Sequence, residues 1–258
     1  MTRLILLEGL PGTGKTTATR RLCEALSAGK HRVTVLCEDD ERVFSNFRDV
    51  AGVPADVFDA YCDAHPEVAG ALRAGAVRTK GYAYLRLDRC PDAAADALRA
   101  WDMGDEFNPH MRLTHYRPCA LEYLARWVSR YKDTPGTVVV DSGYLQNPVN
   151  ELLFRGAADD EVRGQIQGMA ALLTPLNPLC VYLKRESAAA AMAFAARAKG
   201  PGWTAGIESA YQLFGADFFE RRFALELELL PSLPHVVYSI HDNDWSEVDA
   251  GLARIAAG

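Results

Sequence analysis

The sequence predicts an α/β fold in three layers, with helices on both faces of a five-stranded parallel sheet. Short runs rich in Val, Ile and Leu recur along the chain, and their continuous apolar character fits strands covered on both faces. Helical patterns separate these runs, as crossover connections between parallel strands require. The first run also feeds directly into a glycine-rich turn and then a helix.

That first run spans residues 3–8. The helix after the turn, Lys15–Ala28, carries Ala18, Leu22, Ala25 and Leu26 on one face and stops at Gly29. A second run covers 32–37. Residues 42–134 are too many for a simple crossover and read as an inserted helical region, interrupted at Gly52, Pro54, Pro66, Pro91, Pro109 and Pro118. Within it, a helix over 118–132 turns Leu121, Leu124, Ala125 and Val128 inward, and Pro135-Gly136 breaks it before the third run at 137–141. Helices over 148–154 and 160–173 lead to the fourth run at 179–183. The alanine-rich segment 186–199 reads as a helix ended by Gly200-Pro201-Gly202, residues 207–230 as one or two more, and 235–240 as the fifth run. No internal repeat or low-complexity linker divides the chain, so residues 1–258 are expected to form one domain.

Composition narrows the function classes. With 49% hydrophobic and 24% charged residues, the 258-residue chain has the makeup of an ordered globular protein. Its net charge of -6 disfavours nonspecific binding to nucleic acid or an anionic membrane. No apolar stretch approaches the roughly 20 residues that span a bilayer, and no signal-peptide pattern precedes the first strand, so a cytoplasmic location is expected. The six cysteines are scattered without a C-x-x-C pair, which fits reduced thiols better than a disulfide framework or a zinc site. Nothing in the sequence decides between a monomer and a homodimer.

The chemistry starts at Gly9-Leu10-Pro11-Gly12-Thr13-Gly14-Lys15-Thr16, which fills the spacing G-x-x-x-x-G-K-[ST] between strand and helix. Such a loop wraps its backbone around phosphate oxygens and aims the amides of the following helix at the same anion. Gly9, Pro11, Gly12, Thr13, Gly14, Lys15, Thr16 and Thr17 are therefore the expected nucleotide-binding residues. Lys15 would bridge the β- and γ-phosphates of ATP, and the Thr16 hydroxyl would ligate Mg²⁺. A phosphate loop also needs a carboxylate at the end of a neighbouring apolar strand, and Asp141, after Val138-Val139-Val140, supplies it as the second metal-side residue.

A base and a source of positive charge complete the expected set. The second run ends in Glu38-Asp39-Asp40-Glu41, from which Asp39 or Asp40 would accept the proton of an attacking hydroxyl. After the fourth run, Arg185 and Arg197 lie on a segment, 184–202, that could close over the nucleotide as a lid and neutralise the transferring phosphoryl group. The polar, aromatic and basic segment from Phe107 to Arg117 suits a substrate pocket, with Arg112, His115 and Tyr116 as candidate contacts and Gln146 as a further one. His110 and His115 lack the i, i+4 spacing of a helical metal pair.

With these residues in place the chain resembles the P-loop kinase superfamily, which includes nucleoside and nucleotide kinases and antibiotic phosphotransferases built on the P-loop NTPase fold. The combination of the phosphate loop, Leu145-Gln146-Asn147-Pro148 and Pro175-Leu176-Asn177-Pro178 is similar, more narrowly, to a group of bacterial P-loop proteins of thymidylate-kinase-like type. The resemblance implies an ATP- and Mg²⁺-dependent kinase acting on a hydroxyl or phosphate of a small polar acceptor: a nucleoside, a nucleotide, or a hydroxylated antibiotic or metabolite. Nucleotide kinases commonly place Arg after the metal-side acid, whereas Ser142 follows Asp141 here, which leaves room for another acceptor. Two other readings compete. A regulatory GTPase would need an N-K-x-D run, which is absent from the sequence; a nucleotide-binding module or ATPase without kinase activity would need nothing beyond the loop.

Overall fold

A computed structural model describes residues 2–105, 108, 110–241 and 244–257. Phe107 and Pro109, part of the expected substrate segment, lie outside the described residues. In chain order the elements are β1 (Thr2–Glu8), α1 (Lys15–Ala28), β2 (Val33–Leu36), β3 (Val50–Pro54), α2 (Ala55–Ala64), α3 (Pro66–Gly75), β4 (Val77–Arg78), β5 (Tyr82–Arg86), α4 (Asp92–Leu98) and α5 (Leu113–Tyr131). They continue with β6 (Gly136–Asp141), α6 (Gln146–Phe154), α7 (Asp159–Leu173), β7 (Pro178–Lys184), α8 (Ala188–Lys199), α9 (Pro201–Phe214), α10 (Phe218–Leu229), β8 (His235–Ser239) and α11 (Ser246–Ala257).

The expected sheet is present: five parallel strands in the order β2-β6-β1-β7-β8. Alternation along β1 explains its two coats. Leu4 and Leu6 face one layer, with Leu124 and Val128 of α5, Leu152 of α6, Ile166 of α7 and Leu225 of α10. Ile5 and Leu7 face the other, with Ala18, Leu22 and Leu26 of α1 and Val248 and Leu252 of α11. Leu4, Ile5, Leu6 and Leu7 are wholly buried, and each contributes about 2 kcal/mol of hydrophobic stabilisation.

The stretch between β2 and β6 differs from the expected helical insertion. It holds a second, antiparallel sheet, β3-β5-β4, as well as helices, and it has its own core of Ala51, Val53, Phe58, Leu72, Ala83, Leu85 and Leu98. Gly52 looked like a breaker because strands rarely hold glycine. Here a Cβ would collide with Cys119 Sγ and Met103 Sδ, so the strand passes α5 too closely for any side chain. Pro118 likewise does not start a helix. It lies inside α5, where the missing N–H and ring cost are offset by burying Tyr116 and Cys119 on either side.

α5 is the crossover helix that returns to β6, so the additional residues leave after β2 and rejoin α5 at the carboxyl edge of the main sheet, where its ligand site is expected. Pro201 does not lengthen the break after α8 either. It takes the first position of α9, where a fixed φ and a missing N–H cost nothing.

Candidate active site

Gly9, Gly12 and Gly14 take φ of 135°, 81° and 92°, so the loop turns back on itself in conformations that side chains resist. Thr13 locks the turn by donating its Oγ1 hydrogen to Leu10 O at 2.8 Å. Where a Cβ on Gly14 would sit, the indole of Trp245 packs, held in turn under the Arg21 guanidinium 4.7 Å from its ring centre. Lys15 lies under the loop and donates to Gly9 O at 2.8 Å and Leu10 O at 3.2 Å. Burial lowers its pKa, and the carboxylates of Asp141, Glu38, Glu8 and Glu226 oppose part of that shift. The amine is thus held inside the loop among four acids.

β1 and β6 are neighbours, with Leu7 in register with Asp141. Thr16 Oγ1 donates to Asp141 Oδ2 at 2.9 Å, and Ser142 Oγ donates to Asp141 Oδ1 at 2.8 Å. Ser142 adopts φ of 68°, a left-handed backbone that a serine tolerates at some cost, and this turns the chain sharply at the end of β6. The expected metal-side pair is thus assembled. Among the described residues no cluster of three or more His, Cys, Asp or Glu could hold a metal by itself. The donor set fits Mg²⁺, which keeps several waters and takes one or two protein oxygens together with substrate phosphates.

The acidic turn after β2 resolves into unequal members. Leu36, the last residue of β2, is buried, and Glu38 follows in the turn, half-buried. Its Oε1 accepts from Gln146 Nε2 at 2.7 Å, and its charge reaches Lys15. Asp40 instead pairs with Arg42 at 2.5 Å, and that hydrogen bond holds its carboxyl below the ordinary range, which opposes use as a base. Asp39 is exposed on the rim of a cavity. Of the cluster, Glu38 is the member joined to Gln146 and close to Lys15, Asp39 lines the same cavity as Glu38, and Asp40 is taken up by Arg42.

Of the expected substrate contacts, Gln146 stands in the site beside Glu38. His115 and Tyr116 do not. His115 Nε2 lies 2.9 Å from Gly52 O with its ring against Trp101 and Tyr82, tying α5 to β3, and buried Tyr116 packs under the Arg155 guanidinium and against Phe47. Both are spent on packing. Arg112 is exposed just before α5. Arg185 donates from Nε to Gly12 O at 3.0 Å and stacks on Phe194 at 3.7 Å, and it shares a cavity of about 380 Å³ with Arg197, Ile240 and His241.

Two further cavities meet at Glu38. One, of about 500 Å³, opens toward the inserted region; the other, of about 420 Å³, lies between Pro11 of the loop and Trp203 and Ile207 of α9.

No family model matches the chain, and no curated protein matches it. A solved structure titled "Crystal structure of APE1195" aligns with 99% of this chain and 93% of its own at 15% identity and a TM-score of 0.36, a likeness too distant to bear on function.

Behind the loop is a buried polar network that the sequence did not single out. Glu8 is fully buried and accepts from the backbone N–H groups of Tyr144 at 2.6 Å and Gln146 at 2.9 Å. Glu226 accepts from Tyr182 Oη and from Arg222 Nε, both at 2.8 Å, and Arg222 also donates to Asn150 Oδ1. Burial, opposed by the backbone donors, pushes Glu8 up from 4.5 to about 7.

A carboxyl group with a raised native pKa stabilises the fold fully below its unfolded value, and that contribution is lost as pH rises through the native value. That rise corresponds to about 3 kcal/mol, withdrawn as pH climbs from 4.5 to about 7. Glu8→Gln removes the titrating group but leaves one of the two backbone N–H donors, of Tyr144 or Gln146, facing an amide NH2, so it should melt lower than wild type at pH 5. Its melting temperature should nevertheless stay nearly flat from pH 5 to pH 8 while that of wild type falls; thermal melts across that range test this, and an unchanged slope would place the titrating group elsewhere.

Proposed function

We propose that this protein is an ATP- and Mg²⁺-dependent phosphotransferase acting on a hydroxyl of a small polar acceptor. The observation that carries the reading is the convergence of three groups on one loop: Lys15 beneath it, Thr16 bonded to Asp141 beside it, and Glu38 facing Lys15 from the next sheet edge. A loop that only bound nucleotide would not need a carboxylate held by Gln146 at the junction of two cavities.

In this reading the loop amides and Lys15 hold the β- and γ-phosphates, and Thr16 with Asp141 holds the metal and its waters. The metal, when bound, neutralises charge that develops on the phosphates. Glu38 takes the proton as the acceptor oxygen bonds to the γ-phosphorus, the bond to the bridging oxygen of ADP breaks, and Lys15 stabilises the departing charge. Gln146 keeps Glu38 aimed at the acceptor. Arg185 and Arg197, beside Phe194, offer a flat, cationic cleft to an electron-rich nucleotide base.

All six cysteines are free, in keeping with a reducing, cytoplasmic setting. No helix among the described residues is long and apolar enough to cross a membrane.

The test is acceptor-dependent ADP release with Mg²⁺ across nucleosides, nucleotides and hydroxylated antibiotics. At least one acceptor should raise ADP release tenfold or more, about 1.4 kcal/mol of barrier, with a phosphorylated product seen by mass spectrometry. Failure across the panel would reduce the protein to a nucleotide-binding module or an ATPase.

A further inference from the structure

Building on the reading of the loop as a triphosphate cradle, we propose that Trp245 is a positioning residue for phosphate binding. Its indole holds the start of α1 in shape in place of a side-chain cap, so that the amides there stay open to an anion. The need for such a prop arises in the helix itself. Gly14 is the N-cap of α1, no side chain caps that end, and no acid occupies its first turn. Ala18 N–H closes the first turn on Gly14 O at 3.0 Å, and helix geometry leaves the amides of Lys15, Thr16 and Thr17 without intrahelical partners. A capping side chain would bond one of those amides and take it from the ligand. A glycine N-cap also adds backbone freedom that folding has to remove.

The three loop glycines are backed in different ways. A Cβ on Gly9 would strike Leu183 O, and one on Gly12 would strike Ala191 O and Ala195 N of α8, so main chain stands behind both. At Gly14 a side chain stands there instead: Cη2 and Cζ2 of Trp245 lie 2.5 and 2.6 Å from where the Cβ would be. These are ring carbons, and their contact takes no hydrogen-bonding group from the anion site.

The indole is itself held firmly. It is half-buried against the core of Ala18, Leu22, Val248 and Leu252, and Trp245 O accepts from Asp249 N–H at 2.8 Å where α11 begins. Arg21 lies over the ring, and its Nη1 donates to both Asp249 carboxylate oxygens at 2.6 and 2.7 Å. Arg21 is about two turns along α1 from Gly14. α1 therefore meets the indole at two points, and α11 ties it at a third. A phosphate-binding turn held in this way is ready before the ligand arrives, which spares binding the cost of ordering it.

The experiment compares the whole chain as wild type, Trp245→Ala, Trp245→Phe and Leu252→Ala. Each is titrated by calorimetry with ATP and with inorganic tripolyphosphate, both in Mg²⁺, and followed by amide hydrogen exchange without ligand. Leu252, 2% exposed in the same core, is the control for lost packing alone. Trp245→Ala should weaken both ligands at least about tenfold, because the loss falls on the phosphates that they share. Exchange at Ala18 N–H should speed at least about tenfold while Val139 in β6 keeps its rate. Trp245→Phe, which keeps a ring, should bring both measurements back to within about threefold of wild type. Leu252→Ala should melt at least as low as Trp245→Ala yet bind both ligands within about twofold of wild type.

If Trp245→Ala lost affinity for ATP alone, the indole would be a contact of the base; if it lost neither ligand, the loop would not depend on it. Either outcome overturns the proposal, as does weaker binding with unchanged exchange at Ala18 or an equal loss of affinity in Leu252→Ala. Tight binding of ATP that leads to no phosphorylated product would refute the reaction and leave the role of Trp245 standing. A wild type that bound neither ligand would refute both.

Discussion

Lys15→Ala should lower acceptor-dependent ADP release by at least about a thousandfold, the scale seen when a preorganised charge on a transition state is removed. The ammonium lies inside the loop, donates to Gly9 O and Leu10 O, and is surrounded by Asp141, Glu38, Glu8 and Glu226. Alanine would leave the transferring phosphoryl group facing those carboxylates with no charge between. The variant should also melt lower, because removing a buried cation leaves its acidic neighbours uncompensated. Lys15→Arg separates the two effects: it keeps the charge, but a planar guanidinium does not fit the slot under the loop, so turnover should stay low while stability partly returns. Full turnover in Lys15→Ala would remove the phosphotransferase reading altogether.

Glu38→Gln should reduce kcat by about a hundredfold to ten-thousandfold with little change in the KM for ATP, as expected when a general base is lost and nucleotide contacts remain. Glutamine preserves the side-chain volume and can still accept from Gln146, so the local packing survives. Asp39→Asn and Asp40→Asn are the informative comparisons, and each should change kcat by no more than about threefold, the usual range for an exposed site away from the chemistry. Asp40 is already committed to Arg42, and Asp39 stands on the rim. If Asp39→Asn fell as far as Glu38→Gln is expected to, the proton would have to leave through the rim carboxylate instead.

The difference between Glu38 and its two neighbours shows what was legible in the sequence. Buried parallel strands and the phosphate loop announce themselves through short-range patterns: continuous apolar runs, glycine spacing and helix stops. Asp141 was readable because strand and carboxylate are adjacent in the chain. Which member of an acidic turn meets which partner depends on where β2 ends and on Asp40 N–H closing onto Cys37 O, after which Glu38 reaches Gln146 and Asp40 reaches Arg42.

Longer-range partnerships were invisible for the same reason. Glu226 and Arg222 acquire their role only when α10 is packed against β7 and α6, and Trp245 only when the chain returns to the loop from its far end. Local signals also misled where tertiary contact overrode them. Gly52 in β3, Pro118 in α5 and Pro201 in α9 were all expected to interrupt structure, and each belongs to an element whose surroundings accept it. His115 and Tyr116 looked like ligand-facing groups because aromatic and polar side chains serve pockets and interfaces within a domain equally well.

The inserted region has a core of its own around Val53 and Phe58, and it also lends Val50 and Tyr84 to one of the two cores that clasp the main sheet. Val53 and Phe58 pack together without Leu6 or Val139, while Val50 and Tyr84 tie the same strands to the core that holds Leu6. Substitutions at Val53 or Phe58 therefore loosen the outer part of the region first, and those at Val50 or Tyr84 are felt on both sides. The outer strands and helices around Val53 can open by local unfolding while the glycine-rich turn after β1 stays folded.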